Sequence, residues 1–349
     1  MFSPRYTITA PILSAIAVIE NARGQIDAAP ILPQAQFALQ KQSTVESVNS
    51  STRIEGNPLT GSQVAEVLSH HRVDASRRAI VEVENYARAW EWVRARQSVR
   101  EPVSTDDVLR LHALTVGELL SADKSGRFRS GPVWVVDSVA GVDEVRYTAP
   151  DADRVPALLA EPLEWLNTPN PTHPLIRAGL AHAFLAAVHP FADGNGRVAR
   201  LLARLVLGRA GYGFRDSLVL EDFYADDRPA YYAAIDLGAT YDVRARADTT
   251  GWLTYFLRGV VASVARLAER VAALSAAGVP GAQIRVTADQ AAVLSHAVRE
   301  GGISLAEASV VLPTTPRRTT QRVLRSLVDA GLLHTSGAGR ATRYHPGPN

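Results

Sequence analysis

The sequence predicts a mainly α-helical protein, a large helical core interrupted by one β-hairpin and followed by a small C-terminal winged helix-turn-helix module. Three observations carry this. Apolar residues recur at helical spacing, most clearly at Val198, Leu201, Leu202, Leu205 and Val206, which fall at i, i+3, i+4, i+7 and i+8. Within the core, Val133-Trp134-Val135-Val136 and Val145-Arg146-Tyr147-Thr148 are β-prone runs joined by a polar, turn-prone stretch around Gly141. Past a break at Gly278, Pro280 and Gly281 the pattern is helix, helix, helix and a two-stranded wing. The expected divisions are an N-terminal helical region over 1–100, a core over 101–278 with its hairpin at 130–148, and a module over 282–349.

Ile12, Ile16 and Ile19 share one side of a first amphipathic helix. A later helix stops at Gly56, Asn57 and Pro58, a strong terminator. Ser51 and Glu55, four apart, lie on one face near that end. A carboxylate there opposes the helix dipole, so Glu55 calls for a cation from elsewhere. Val83, Tyr86, Ala87, Trp90 and Val93 describe a helix packed on the core. Ser104, Thr105 or Asp106 caps the next one, in which His112 sits among Leu109, Leu111 and Leu114 and reads as a structural histidine.

The character changes at 126–132 (Gly-Arg-Phe-Arg-Ser-Gly-Pro), ahead of the hairpin. A helix over 155–166 follows, then a Pro-rich break over 168–174. The apolar run 175–188 and the periodic set after 197 form a helix pair separated by a tight polar turn. Val264, Leu267, Val271 and Leu274 mark one face of a helix over 264–277. Helices are expected over 290–299, 304–310 and 315–330, with Leu332-Leu333-His334 and Thr342-Arg343-Tyr344 flanking a wing tip at Gly337-Ala338-Gly339.

With 349 residues there is room for two or three domains. A composition of 46% hydrophobic and 21% charged residues excludes a disordered chain. The absence of Cys excludes disulfides, thiolate nucleophiles and Cys-ligated metals. The apolar patch 12–19 is short and follows little positive charge, unlike a signal peptide. No segment reaches the roughly 18 apolar residues of a membrane span. A cytoplasmic protein is expected. The net charge of +2 is too small to argue a nucleic-acid partner for the whole chain. Residues 281–349, however, hold eight arginines against four carboxylates, a charge of +4, leaving −2 for the remainder. Arg317, Arg318, Arg322 and Arg325 lie on or beside the third helix of this module, and Arg340 and Arg343 at its wing. Thr314, Thr315, Thr319 and Thr320 add short polar donors, so this face suits phosphates and a DNA groove.

The polar turn carries the chemistry. It reads His189-Pro190-Phe191-Ala192-Asp193-Gly194-Asn195-Gly196-Arg197-Val198-Ala199-Arg200. Glycines at 194 and 196 tolerate positive φ, so successive N–H groups can curl into a nest at the start of the second helix. Orphan donors and the positive end of the helix dipole suit phosphate there. Arg197 and Arg200 supply forked charged donors. Asp193 is a hard oxygen ligand of the kind that holds Mg²⁺ together with substrate phosphates. His189 can accept a proton near neutral pH.

The stretch resembles the signature of the Fic family, His-Pro-Phe-x-Asp/Glu-Gly-Asn-Gly-Arg-x-x-Arg, with every fixed position filled. The resemblance implies a Fic-type helical core with the hairpin as a flap over the active site, where a target protein segment adds as a strand. Ala149-Pro150 at the flap's end departs from the family's frequent Pro-Pro. It implies an adenylyltransferase moving AMP from ATP to a Ser, Thr or Tyr hydroxyl. His189 would be the base, Asp193 the Mg²⁺ ligand, and Gly194, Asn195, Gly196 and Arg197 the phosphate cradle. Arg200 would hold the γ-phosphate, and Phe191 would pack the turn on the core. Residues 51–56 resemble the family's inhibitory motif, Ser/Thr-x-x-x-Glu-Gly/Asn, which implies that Glu55 pairs with Arg200 and blocks the γ-phosphate. Segments around Glu221-Asp222-Phe223-Tyr224 and 252–257 resemble the family's closing helices, with Tyr231 and Tyr232 as candidates for a nucleobase pocket. Transfer of another phosphate-linked group, removal of AMP, and nucleotide sensing by a DNA-binding regulator remain open alternatives, as does a homodimer.

Overall fold

The computed structural model describes residues 2–139, 142–277, 287–330, 332–337 and 342–346. Its contacts divide the chain into two compact units, one of residues 1–28 with 42–268 and one of residues 29–41 with 269–349. The predicted linker at 278–281, Gly141, the wing tip Ala338-Gly339 and Arg340 lie outside the described residues.

The first unit is helical, with one hairpin. In chain order come α1 (Ala10–Ala28), α2 (Pro33–Ile54, entering this unit at residue 42), α3 (Gly61–Leu68), α4 (Arg77–Gln97) and α5 (Thr105–Val116). The hairpin is β1 (Trp134–Val139) with β2 (Val142–Thr148). Then follow α6 (Val155–Asn167), α7 (Pro174–Val188), α8 (Asn195–Arg209), α9 (Glu221–Asp226), α10 (Arg228–Ile235), α11 (Tyr241–Arg244) and α12 (Thr250–Ala277, leaving this unit after residue 268). The two pieces read near 252 and 264 are one continuous α12. Its Trp252, Phe256, Val260, Val264, Leu267 and Val271 are buried, which keeps one face apolar as far as Val271.

α7 is buried on nearly every side, and α8 packs Val198, Leu201, Leu202 and Leu205 into the same core as Tyr86 and Trp90 of α4. The helix ends follow local chemistry. Ser104 caps α5 in a reciprocal box with Asp107, and α2 ends where Gly56 takes φ +94°. The hairpin is antiparallel with a register shift between Val135 and Val136. Its base is fastened by Tyr147, which is buried and donates to the Ala187 carbonyl of α7.

The second unit contains α13 (Ala288–Arg299), β3 (Ile303–Ser304), α14 (Leu305–Val311), α15 (Arg317–Asp329), β4 (Leu333–Ser336) and β5 (Arg343–Pro346). Where the sequence predicts two strands there are three, in the antiparallel order β3-β5-β4. Two-residue β3 is too short to leave a periodic signal. Thr287 and Ser304 each close a capping box, with Gln290 and Glu307, and Leu294, Leu324 and Leu327 centre the core.

Candidate active site

The turn between α7 and α8 forms one wall of a cleft of about 450 Å³, which β1 of the hairpin and α10 also line. His189 ends α7 with φ 50° and ψ 59°, a left-handed backbone rare for a residue with a side chain. Arg129 holds it there. That guanidinium, 6% exposed, donates to the carbonyls of His189 (2.9 Å), Gly131 and Pro150, and its backbone N–H donates to Pro190 O. His189 Nδ1 lies 3.2 Å from the Ala186 carbonyl. A carbonyl only accepts, so Nδ1 carries the proton and Nε2 keeps a lone pair. Burial pushes the His189 imidazole down to about 4, with the Ala186 bond opposing and the Arg129 and Arg244 charges reinforcing the shift. The ring is therefore a neutral acceptor at pH 7.

The turn itself is braced by side chains. Asn195 closes it with a pair of 2.9 Å bonds to the Phe191 N–H and carbonyl, so its side chain shapes the turn while its backbone opens the helix. Phe191 stacks flat on His112, ring centroids 3.8 Å apart. His112 Nε2 reaches the Asp193 carbonyl at 3.1 Å and its Nδ1 accepts from the Gly126 N–H. The two glycines serve different ends. Gly194 has φ +80°, as predicted, but Gly196 is helical and its reason is space. A Cβ at 196 would lie 2.8 Å from Glu55 Oε1 and 3.2 Å from Arg200 Nη1.

The two signature arginines part company. Arg197 is 3% exposed, and its guanidinium is held by Glu82 of α4 (2.6 Å) and Asp193 (3.2 Å); it clamps the turn from behind and does not line the cleft. Arg200 does line it. Its Nε donates to Ser51 Oγ (2.8 Å), and its Nη2 donates to the Ser51 carbonyl (3.1 Å) and to Glu55 Oε1 (2.7 Å). Its Nη1 is buried without a hydrogen-bond partner among the described residues, a cationic donor left over beside Gly196. Asp193 is 42% exposed and spends Oδ1 on the Gly194 N–H and Arg197, leaving Oδ2 without a protein partner among the described residues. Those residues contain no cluster of three or more His, Cys, Asp or Glu that could hold a metal. A cation at Asp193 would draw its remaining ligands from phosphates and water, which is how Mg²⁺ is commonly bound.

Tyr231 is 2% exposed; its hydroxyl shares a 2.9 Å bond with His182 and its ring stacks on Tyr224 in the core. Tyr232 is 37% exposed, reaches the Ile54 carbonyl at 3.5 Å, and is the member of the pair that presents a face. Sequence reasoning missed Arg129, Glu82 and a second cluster, in which Asp236 binds Arg146 of β2 (2.9 Å) and Arg244 of α11 (3.0 Å). Arg244 also lies 3.6 Å over the Tyr147 ring, tying the hairpin to the cleft. Only residue type could have hinted at these. In the second unit, Arg317, Arg318, Arg322 and Arg325 are exposed and form no ion pair among the described residues. Arg343, by contrast, is paired with Glu307 (3.4 Å), and Thr320 is fully buried, so it is no surface donor.

Buried histidines make the unit acid-sensitive. Burial pushes His112 down to about 4 and His182 down to about 3, against about 6.5 in the unfolded chain. The unfolded state then binds more protons between about pH 6.5 and 4, so stability is complete above that window and is lost as pH falls through it. With His189, also pushed down to about 4, the three together cost at most about 4.1 kcal/mol per pH unit. Urea midpoints at pH 7.5 and pH 5 are expected to show this loss, and His112→Gln to flatten it; equal midpoints would contradict the assignment.

The Fic/DOC family pattern matches residues 102–207. The protein adenylyltransferase fic-1 of Caenorhabditis elegans is 31% identical over 205 residues, covering 56% of this chain and 37% of that protein. The protein adenylyltransferase Fic of Drosophila grimshawi is 32% identical over 195 residues, covering 53% and 38%. The chain thus spans under two fifths of the length of these relatives. A solved Fic family protein from Desulfovibrio desulfuricans G20 is 26% identical with a TM-score of 0.64, covering 100% of this chain and 99% of that one. No helix among the described residues is long and apolar enough to cross a membrane.

Proposed function

We propose, for a chain that belongs to the Fic/DOC family through residues 102–207, that it is a protein adenylyltransferase held inactive in cis by Glu55. One observation carries the reading. His189, Asp193, the glycine turn and Arg200 converge on a single cleft, and the cation suited to a terminal phosphate is taken by a carboxylate of the same chain.

Nε2 of His189 takes the proton of a Ser, Thr or Tyr hydroxyl as its oxygen bonds to the α-phosphorus of ATP. The bond from that phosphorus to the bridging oxygen breaks, and pyrophosphate leaves. The N–H groups at the start of α8 and the guanidinium of Arg200 place the phosphates through preorganised charge. Asp193 would hold Mg²⁺ with phosphate oxygens, which offsets the charge growing on the leaving group. Arg197 contributes by fixing the turn. The flap would register the target by strand addition, with Trp134, Val136 and Val145, 51%, 45% and 58% exposed, offered to it. Tyr232 is the better placed of the two tyrosines to meet the base. Autoinhibition follows because Arg200 cannot serve Glu55 and a γ-phosphate at once.

Intact mass after incubation with ATP and Mg²⁺ tests this, comparing wild type with Glu55→Gly. One added AMP in the variant and little in the wild type is the expected result. A different mass increment would point to another phosphate-linked group, and loss of mass from an AMP-modified protein to the reverse reaction.

The second unit we read as a winged helix-turn-helix that binds duplex DNA, favoured by the exposed arginine face of α15, which forms no ion pair among the described residues. Lys and Arg contacts to phosphate make affinity fall with salt, with a log–log slope of roughly 0.9 per contact. Arg318→Ala with Arg322→Ala is expected to lower that slope by roughly 1 to 2 in anisotropy titrations of the full chain. A slope unchanged in the variant would assign this face to a protein partner instead.

A further inference from the structure

α2 is seated in an unusual way for a helix of a hydrophobic core. Of its buried residues from 42 onward, only Val48 and Ile54 are apolar, whereas Ser43, Ser47, Ser50, Ser51 and Thr52 are hydroxyl-bearing and at most 2% exposed. Apolar contact is non-directional and would tolerate a small slide or rotation; hydroxyl bonds do not. The register of the last turns of α2 is therefore set by the partners that Ser47, Ser50 and Ser51 find on neighbouring helices, since Thr52 bonds back to the Val48 carbonyl of its own helix and Ser43 Oγ has no partner among the described residues.

Two adjoining faces of the helix find hydrogen-bond partners on two different elements, a donor on one and acceptors on the other. Ser51 and Glu55 meet Arg200 of α8. Ser47 and Ser50, three apart, meet α9: Ser47 Oγ donates to Glu221 and Ser50 Oγ donates to Asp222. Glu221 is 3% exposed and makes no ion pair within 4 Å among the described residues; its carboxylate is served by Ser47 and by the Tyr86 hydroxyl of α4 at 3.3 Å. Such a carboxylate strongly favours keeping its hydroxyl donors, because losing one leaves a buried charge under-solvated. Arg53 and Asp226 extend the row at 3.3 Å, but both are exposed and add little.

We propose that Glu221 and Asp222 are positioning residues for the inhibitory carboxylate: by holding Ser47 and Ser50 they fix the last turns of α2 and so place Glu55 against Arg200. The inference rests on the cis-inhibition reading above. It makes inhibition depend on a second contact that touches neither Glu55 nor the nucleotide cleft.

A double-mutant cycle in the full chain tests it. Ser47→Ala with Ser50→Ala is expected to raise ATP-dependent self-modification, and the preference for ATP over ADP in calorimetry, by about 10-fold, since the bonds lost are to charged acceptors. In a Glu55→Gly background the same pair should change neither quantity, because the tether acts only through Glu55. Equal effects in both backgrounds, or none in the wild-type background, would overturn the proposal. Asp222→Ala, at the more exposed of the two acceptors, gives the same readout should the serine pair fold poorly. Hydrogen exchange separates this idea from the one beneath it. Protection of amides 47–56 should fall about 10-fold in the serine variant while α7 keeps its own. Loosening of α2 with Glu55→Gly silent in transfer would sink the inhibition reading and leave the tether; unchanged protection would sink the tether.

Discussion

His189→Ala is expected to lower AMP transfer by at least about 100-fold while leaving ATP affinity within about twofold. General-base catalysis is typically worth about 10²- to 10⁴-fold, which sets the loss expected with His189 as the proposed base. The geometry isolates its role. Nδ1–H is committed to the Ala186 carbonyl at 3.2 Å, so Nε2 is the free acceptor, and burial keeps the ring neutral through the physiological range. The donors proposed to face the phosphates belong to other residues, Arg200 and the N–H groups that open α8, so ATP binding should survive. Single-turnover labelling beside calorimetry in the Glu55→Gly background would measure both. Transfer at the parent rate would remove His189 from the mechanism. Weakened ATP binding matched by the same loss of transfer would make it a binding residue.

The second large effect is release of Arg200. Glu55→Gly should raise transfer by about 10- to 100-fold, the range set by one to two hydrogen bonds between charged groups. The lost bond is the 2.7 Å contact to Arg200 Nη2, whose other partners, Ser51 Oγ and the Ser51 carbonyl, remain. The guanidinium would therefore stay in place with two donors, Nη1 and Nη2, available for a γ-phosphate. The gain should appear with ATP and be absent for ADP binding, since ADP lacks the competing group. An equal gain for both nucleotides would mean that Glu55 blocks the cleft by bulk and not by occupying the cation.

Much of this was legible in the sequence, for reasons that differ by element. The α7–turn–α8 unit could be read because its information is local: apolar periodicity on both sides, and between them residues whose backbone chemistry allows few conformations. The stop after Ile54 was equally plain from Gly56, Asn57 and Pro58. The role of Gly196 was not. Its spacing suggested freedom at positive φ, but the residue is helical, and what it grants is room for a carboxylate from another helix. β3 escaped because two residues are too few to show alternation, and α12 was read in pieces because its buried face turns from aromatic to aliphatic along its length.

The sequence by itself determined the helical class, the polar turn with its histidine, its carboxylate and its helix N-terminus, and a carboxylate at the end of α2 in want of a cation. Periodicity does this because it reports which face of an element is buried. It does not report what lies opposite. Arg197 and Arg200 are three residues apart on one helix, yet one is held by Glu82 behind the turn and the other meets Glu55 from 145 positions away in the chain. The same holds for Arg129 on the carbonyl of His189, for Asp236 between Arg146 and Arg244, and for the serines of α2 on the acids of α9. Buried polar groups must find partners, and which partner each one finds is settled by packing. That assignment only the tertiary structure made.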